Sequence, residues 1–312
     1  TVLFGKYRLL HKLGTGRAGT VWLAVHIGLE EYRAIKRISK RDADYDTFRR
    51  EALVLKELRH PGIPMIYDLE EDSEFFYLIE EYLEGYSLYA LIVNQGPIQE
   101  AEAVRYGMQV CGLVAYMHSA CEIPILHLDL QPNNLIICNG TVKLIDFDHA
   151  AGCRWANIAP KRFGTVGCAA PEQYDSDRML DQRTDIYAIG AVLRFMTAGT
   201  LREDAGQSAA LSEAFERIIR KCMDSNMEKR YASAGEVEDA LQALCTRKLT
   251  EEKEQKAIPS HILILTGMKV STPSAIMAST LCCHLTEDET CLVSSSFTSA
   301  ALLTYCAVTL AT

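Results

Sequence analysis

HLDLQPNN at residues 127–134 and DFD at 146–148 are the stretch on which the fold turns. Both lie in a strand-and-loop region, 126–172, where polar motifs crowd between apolar helical segments. Asp129 is the candidate to accept or orient a hydroxyl proton. Asn134, five residues on, and Asp146 offer an amide oxygen and a carboxylate, the hard oxygen ligands that suit Mg²⁺ while it keeps some of its waters. Asp148 is a competing carboxylate; it is taken as filling the position after Phe147 rather than as a third metal ligand.

Outward from this stretch, four further motifs fall into line. GTGRAGTV (14–21) sits between two strand patterns. That context disfavours a dinucleotide fold, which needs a helix N-terminus at the pyrophosphate. Without Cβ atoms, Gly14, Gly16 and Gly19 let backbone N–H groups approach phosphate oxygens; the bland alternative is a plain β-turn. Lys36, in AIK (34–36), lies inside an apolar strand and needs an anionic partner, unless it merely faces solvent. Glu51, within FRREALVLKEL (48–58), is the candidate partner, because Leu55 one turn on points the same way, toward the interior. Glu57 and Glu31 are surface competitors. AAPE (169–172) closes the set. Each motif alone is weak. In this order they supply a phosphate cover, a lysine with its partner, a catalytic carboxylate and two metal ligands, which are the parts that phosphoryl transfer to a hydroxyl requires.

The rest of the chain is consistent with a small β region followed by a mostly helical one, an α+β architecture with a cleft at the junction. Residues 7–38 alternate as strands of one antiparallel sheet. Residues 44–59 carry a helical stripe of Phe48, Leu53, Leu55 and Leu58, stopped by HPGIP (60–64). Two strands follow, around Met65–Leu69 and Phe75–Glu80. Beyond Gly85 the spacing predicts helices over 99–119, 185–198, 211–223 and 233–245. The charged segment TRKLTEEKEQK (246–256) is expected as a linker or an exposed helix end.

Bulk composition narrows the classes. Apolar residues at 48% and charged residues at 23% suit a globular chain with a real core. A net charge of −9 argues against a nucleic-acid partner. Eleven cysteines without metal spacing suit reduced thiols and a cytoplasmic protein. TVLFGKYRLL at the start carries no signal-peptide pattern, and it lacks an initiator Met, so residues upstream are expected.

With these residues in hand, positions 4 to about 247 resemble a eukaryotic-like (Hanks-type) serine/threonine protein kinase of the kind found in bacteria. The resemblance implies a bilobal kinase fold, with an N-lobe over 1–83 and a C-lobe over 84–247, then a linker over 248–260. It implies ATP with Mg²⁺ or Mn²⁺, and protein substrates bearing Ser or Thr hydroxyls; it leaves a homodimer open. In the ATP site it puts Leu13, Gly14, Thr15, Gly16, Gly19, Val21, Ala34, Lys36, Glu81, Leu83 and Ile136. Of these, Val21, Ala34 and Ile136 would sandwich the adenine, and Glu81–Leu83 would form the hinge that bonds it. The catalytic group would be Asp129, Lys36, Glu51 and Gln131, with Asn134 and Asp146 on the metal. Leu55, Ile66, His127 and Phe147 would stack as an internal spine. Glu172 and Arg230 would form a buried ion pair, and Asp185 would anchor the catalytic loop. Thr165, in GTVGCAAPEQY (164–174), would contact Asp129, which favours Ser/Thr over Tyr.

The chain departs from that family at four places. Leu128 replaces the arginine usual before the catalytic aspartate, which argues against switching on by phosphorylation of the activation segment. Gln131 replaces a lysine, and losing that charge should slow chemistry by about one to three orders of magnitude. Asp148 replaces the glycine of DFG, and Glu80 stands at the usually apolar gatekeeper position. The alternative function is therefore a pseudokinase, a nucleotide-binding scaffold that works by shape.

Residues 261–312 form a separate β-α-β-α pattern. TGMKVSTPS (266–274) has the place, but not the Gly-Lys-Ser/Thr ending, of a phosphate-binding loop. The segment is similar, by context, to a degenerate and truncated P-loop module of the ParA/MinD type. Leu292–Thr312 is uncharged and about long enough to span a bilayer, but its Ser and Thr content argues against a membrane. A regulatory or partner-binding appendage is the third reading.

Overall fold

The computed structural model describes residues 1–257, apart from 17–18, 44, 153–163, 176 and 202–210. The P-loop resemblance and the membrane reading of 261–312 fall outside the described residues. The chain divides into two units, Thr1–Thr246 and Arg247–Thr312.

Strand alternation in the first eighty residues produces a six-stranded antiparallel sheet. Its strands are β1 (Val2–Leu3), β2 (Tyr7–Gly16), β3 (Gly19–His26), β4 (Glu31–Ser39), β5 (Ile66–Glu71) and β6 (Phe75–Glu81), in the order β1-β2-β3-β4-β6-β5. Helix α1 (Tyr45–Glu57) enters between β4 and β5. It packs through Phe48, whose ring stacks on Phe76 at 4.9 Å, and through Ala52 beside Ile38 and Leu78. Tyr7, Ala24, Ile35, Tyr77 and Ile79 form a second small core.

Register decides what this sheet presents. Directly opposed residues share a face, and a slip by one would turn every side chain over. Val21 opposes Lys36, Leu23 opposes Ala34, Ala34 opposes Glu80 and Lys36 opposes Leu78. Val21, Ala34, Lys36 and Glu80 thus share one face. Gly19 sits at φ 140°, where an added Cβ would stand 2.3 Å from the Arg37 carbonyl oxygen. Only glycine lets β3 and β4 approach there.

The remaining residues build a helical body. A short sheet of β7 (Tyr86–Ser87), β8 (Leu135–Cys138) and β9 (Thr141–Leu144) accompanies α2 (Leu88–Gln95), α3 (Glu100–Ser119), α4 (Gln182–Ala198), α5 (Glu213–Cys222) and α6 (Ala234–Ala257). Their apolar stripes meet in the largest core, with Val110, Val114 and Met117 from α3, Ile189 and Leu193 from α4, Phe215 from α5 and Leu241 from α6. Gly107 lets α3 and α4 close, since a Cβ there would lie 2.5 Å from the Leu193 side chain.

Two helix boundaries differ from expectation by more than the residue or two seen elsewhere. Helix α4 starts at Gln182, ahead of the expected 185, because the Asp181 side chain accepts from the Arg183 N–H at 2.8 Å and caps it. Helix α6 runs to Ala257, past the expected end at 245, so the charged segment continues the helix, as one of its two readings had it, rather than forming a linker. Its Glu, Lys, Gln and Leu residues are good helix formers, and no proline interrupts before Pro259. Among the described residues no helix is long and apolar enough to cross a membrane.

Candidate active site

Lys36 is 5% exposed, on the shared face of β4. An ammonium taken out of water must be paired, and here one cation faces three carboxylates. Its Nζ donates to Glu51 Oε2 at 2.8 Å and to Asp146 Oδ1 at 2.7 Å, and lies 4.0 Å from Asp148 Oδ2. Burial alone would lower its pKa, but Glu51, Asp146 and Asp148 outweigh that and hold it above the usual value. Glu51 comes from α1, with Leu55 buried one turn on, while the competitors Glu57 and Glu31 are exposed. The second Glu51 oxygen, Oε1, accepts from the Phe147 N–H at 3.1 Å, so one glutamate ties the lysine to DFD.

Asp146 follows β9 with φ 64°, left-handed and uncommon for a residue with a side chain. Burial pushes its carboxyl up, yet the adjacent Lys36 draws it below the ordinary range. Asp148, lacking such a close cation, is pushed up to about 7 by burial, with Asp146 and Glu51 adding and Lys36 opposing. Glu80 is raised to about 8, first by burial and then by Glu51. Phe147 is fully buried, and its ring meets His127 edge-on at 5.1 Å. Leu55 lies in the same core as Phe147, with Ile66 packed against it.

Asp129 sits on the loop between α3 and β8, and both of its carboxylate oxygens are engaged. Thr165 Oγ1 donates to Oδ1 at 2.8 Å, and Gln131 Nε2 donates to Oδ2 at 2.8 Å. Asn134, in the 3₁₀ turn Pro132–Asn134, donates from Nδ2 to the Asp129 carbonyl at 2.9 Å and to Oδ2 at 3.3 Å. Its amide nitrogen is thereby spent on the loop, which leaves the amide oxygen as the end that could take a metal. The loop hangs from Asp185, which is 1% exposed. Asp185 accepts from the His127 N–H and the Leu128 N–H at 2.9 Å each, and pairs with His118 Nε2 at 2.9 Å. Glu172 and Arg230 form a bidentate pair at 2.6 and 2.9 Å, with both side chains at 0% exposure.

Most of the other predicted residues lie on the six-stranded sheet or just after it, and Ile136 lies on the short sheet. Gly14 and Gly16 pair with Val21 and Gly19 across the β2–β3 turn, and Thr15 Oγ1 lies 3.5 Å from Thr20 Oγ1. An added Cβ at Gly14 or Gly16 would meet nothing within 4 Å, so internal packing does not demand glycine there, in contrast to Gly19. Leu13 is exposed on β2, Val21 and Ala34 are half-buried, and Ile136 is half-buried on β8. Glu81 ends β6 with its N–H bonded to the Met65 carbonyl at 2.9 Å, and Leu83 follows. Two residues of the site escaped the sequence analysis. His118 closes an apolar helix, and Gln173 donates to the Leu128 carbonyl at 2.7 Å; neither stands in a motif that names a partner.

Comparison with known proteins meets this geometry from another side. The family model described as protein kinase domain matches residues 7–263. The chain is 31% identical to the serine/threonine-protein kinase PrkC of Bacillus subtilis over 292 residues, covering 82% of this chain and 44% of that protein. It is 32% identical to calcium-dependent protein kinase 5 of Plasmodium falciparum, covering 70% of this chain and 42% of that one. It is 28% identical to serine/threonine-protein kinase B of Synechocystis, covering 77% and 47%. The chain thus spans less than half the length of these relatives.

Proposed function

We propose, from the premise that this chain belongs to the protein kinase family, that it transfers the γ-phosphate of ATP to Ser or Thr hydroxyls of proteins. The observation that supports the proposal is the Lys36 pairing, 2.8 Å to Glu51 and 2.7 Å to Asp146, together with Asp129, both of whose carboxylate oxygens are held. Lys36 binds the α- and β-phosphates, oriented by Glu51. Asp129 receives the substrate hydroxyl proton; the freed oxygen bonds to the γ-phosphorus, and the bond to the β–γ bridging oxygen breaks to release ADP. Gln131 and Thr165 keep Asp129 aimed. Val21, Ala34 and Ile136 enclose the adenine, Glu81 and Leu83 bond its edge, and Leu13, Gly14, Thr15, Gly16 and Gly19 cover the phosphates.

Asn134 and Asp146 would hold Mg²⁺ or Mn²⁺, a hard-oxygen donor set that fits the ion. Among the described residues no three His, Cys, Asp or Glu side chains are disposed to hold a metal by themselves, so phosphate oxygens would complete the coordination. When bound, the ion neutralises charge on the β- and γ-phosphates. The free thiols Cys111, Cys168 and Cys222, all buried, support a reducing, cytoplasmic setting. Thr165 beside Asp129 supports Ser/Thr substrates.

Radiolabelled ATP with Mg²⁺ and a generic protein acceptor tests the proposal. Wild type is expected to transfer label, and Asp129→Asn to lose about 10²- to 10⁴-fold in rate. Thermal stabilisation by ATP without transfer would make the chain a scaffold instead.

A further inference from the structure

Leu128 precedes Asp129 with φ 63°, a conformation that a residue with a side chain keeps only when its surroundings over-determine it. Both ends of this residue are held. Its N–H donates to Asp185 Oδ1 at 2.9 Å, and its carbonyl accepts from Gln173 Nε2 at 2.7 Å. That carbonyl belongs to the planar peptide whose other end is the Asp129 nitrogen, so fixing it fixes the direction in which Asp129 leaves. Gln173 is only 3% exposed, and its Oε1 accepts from the Ala170 N–H at 3.0 Å. Its own turn, Pro171–Tyr174, carries Glu172 and is fastened by Arg230 at 2.6 Å. Gly164 passes close by: a Cβ there would lie 2.1 Å from Ala169 Cβ and 3.4 Å from Gln173 Nε2.

We propose that Gln173 is a positioning residue for Asp129, acting through the Leu128–Asp129 peptide and joining the 164–174 segment to the catalytic loop. The segment then holds Asp129 twice, at the carboxylate through Thr165 (2.8 Å) and at the preceding backbone through Gln173 (2.7 Å). Any displacement of 164–174 reaches the base by two routes. The assignment of Asp129 as base rests on the kinase proposal above.

Two variants of the full chain test this. Gln173→Met keeps the side-chain length and removes the two side-chain hydrogen bonds named above. Gln173→Glu keeps an acceptor for the Ala170 N–H and loses the donor to Leu128. Amide hydrogen exchange, kcat and the KM for ATP are measured on each. Exchange at 127–131 is expected to quicken about tenfold or more while α4 stays protected. The value of kcat falls about 10- to 100-fold, with KM for ATP within about twofold, as for a misplaced catalytic group. Wild-type exchange at 127–131 together with unchanged kcat in Gln173→Met would overturn the proposal. So would exchange rising equally throughout α3 and α4, since that marks a purely structural amide. If Gln173→Glu fails to fold, Gln173→Met decides alone. If wild type transfers no phosphate, the kinase proposal fails by itself, and the exchange at 127–131 still decides the role of Gln173.

Discussion

Gln131 holds Asp129 with a neutral amide, Nε2 to Oδ2 at 2.8 Å. On the proposed transfer, an ammonium in its place would keep the hydrogen bond and add positive charge where the phosphoryl group gathers negative charge. Gln131→Lys is therefore expected to raise kcat by about tenfold or more at saturating ATP, measured by steady-state transfer beside wild type. At this scale the sequence was most informative about charged residues. Lys36 sits in an apolar strand and so advertises a need for carboxylates, and Asp129, Asn134 and Asp146 stand at spacings that few other chemistries use. Gln173 gave no such signal. An amide carries no charge to be paired, and its partner Leu128 lies far away along the chain, so only the folded geometry names it.

Among the elements, the β5–β6 hairpin carries the clearest pH signature. Tyr77, on β6, donates to Asp72 Oδ2 at 2.7 Å while its ring meets Phe4 edge-on at 5.1 Å. Burial first, and then this hydrogen bond, raise the Tyr77 phenol from 10.0 to about 12. A phenol whose folded pKa is raised contributes stability that is complete below its unfolded value and lost as pH climbs through the folded one. The contribution should thus fade between about pH 10 and 12. Tyr77→Phe is expected to cost about 1 kcal/mol at neutral pH, with the gap to wild type closing over that alkaline window in urea titrations. A gap that stays constant would remove the hydrogen bond as its source. The strands of this sheet were legible because their alternation is regular. The end of α6 was not, since Leu, Glu and Lys after residue 245 suit a solvated helix as well as a linker, and local composition does not choose between them.

For the whole molecule, the Glu172–Arg230 pair is a costly contact to break. Both side chains are at 0% exposure, and Arg230 also donates to the Arg183 carbonyl at 2.9 Å and the Asp224 carbonyl at 2.7 Å. Glu172→Ala leaves a guanidinium buried without its counter-charge and is expected to cost about 3–5 kcal/mol, a large part of a domain's typical margin. A urea midpoint within error of wild type would show that the helical body does not depend on it. Gly19 has a different consequence for anyone surveying variants of this protein in cells. Its neighbours Gly14 and Gly16 face open space, whereas Gly19 would drive a methyl group to 2.3 Å from the Arg37 carbonyl oxygen. Damage at the first two should leave normal amounts of protein, with any loss confined to the proposed activity. Damage at the third should empty the cell of the protein, so scoring only growth would file two unlike defects under one heading.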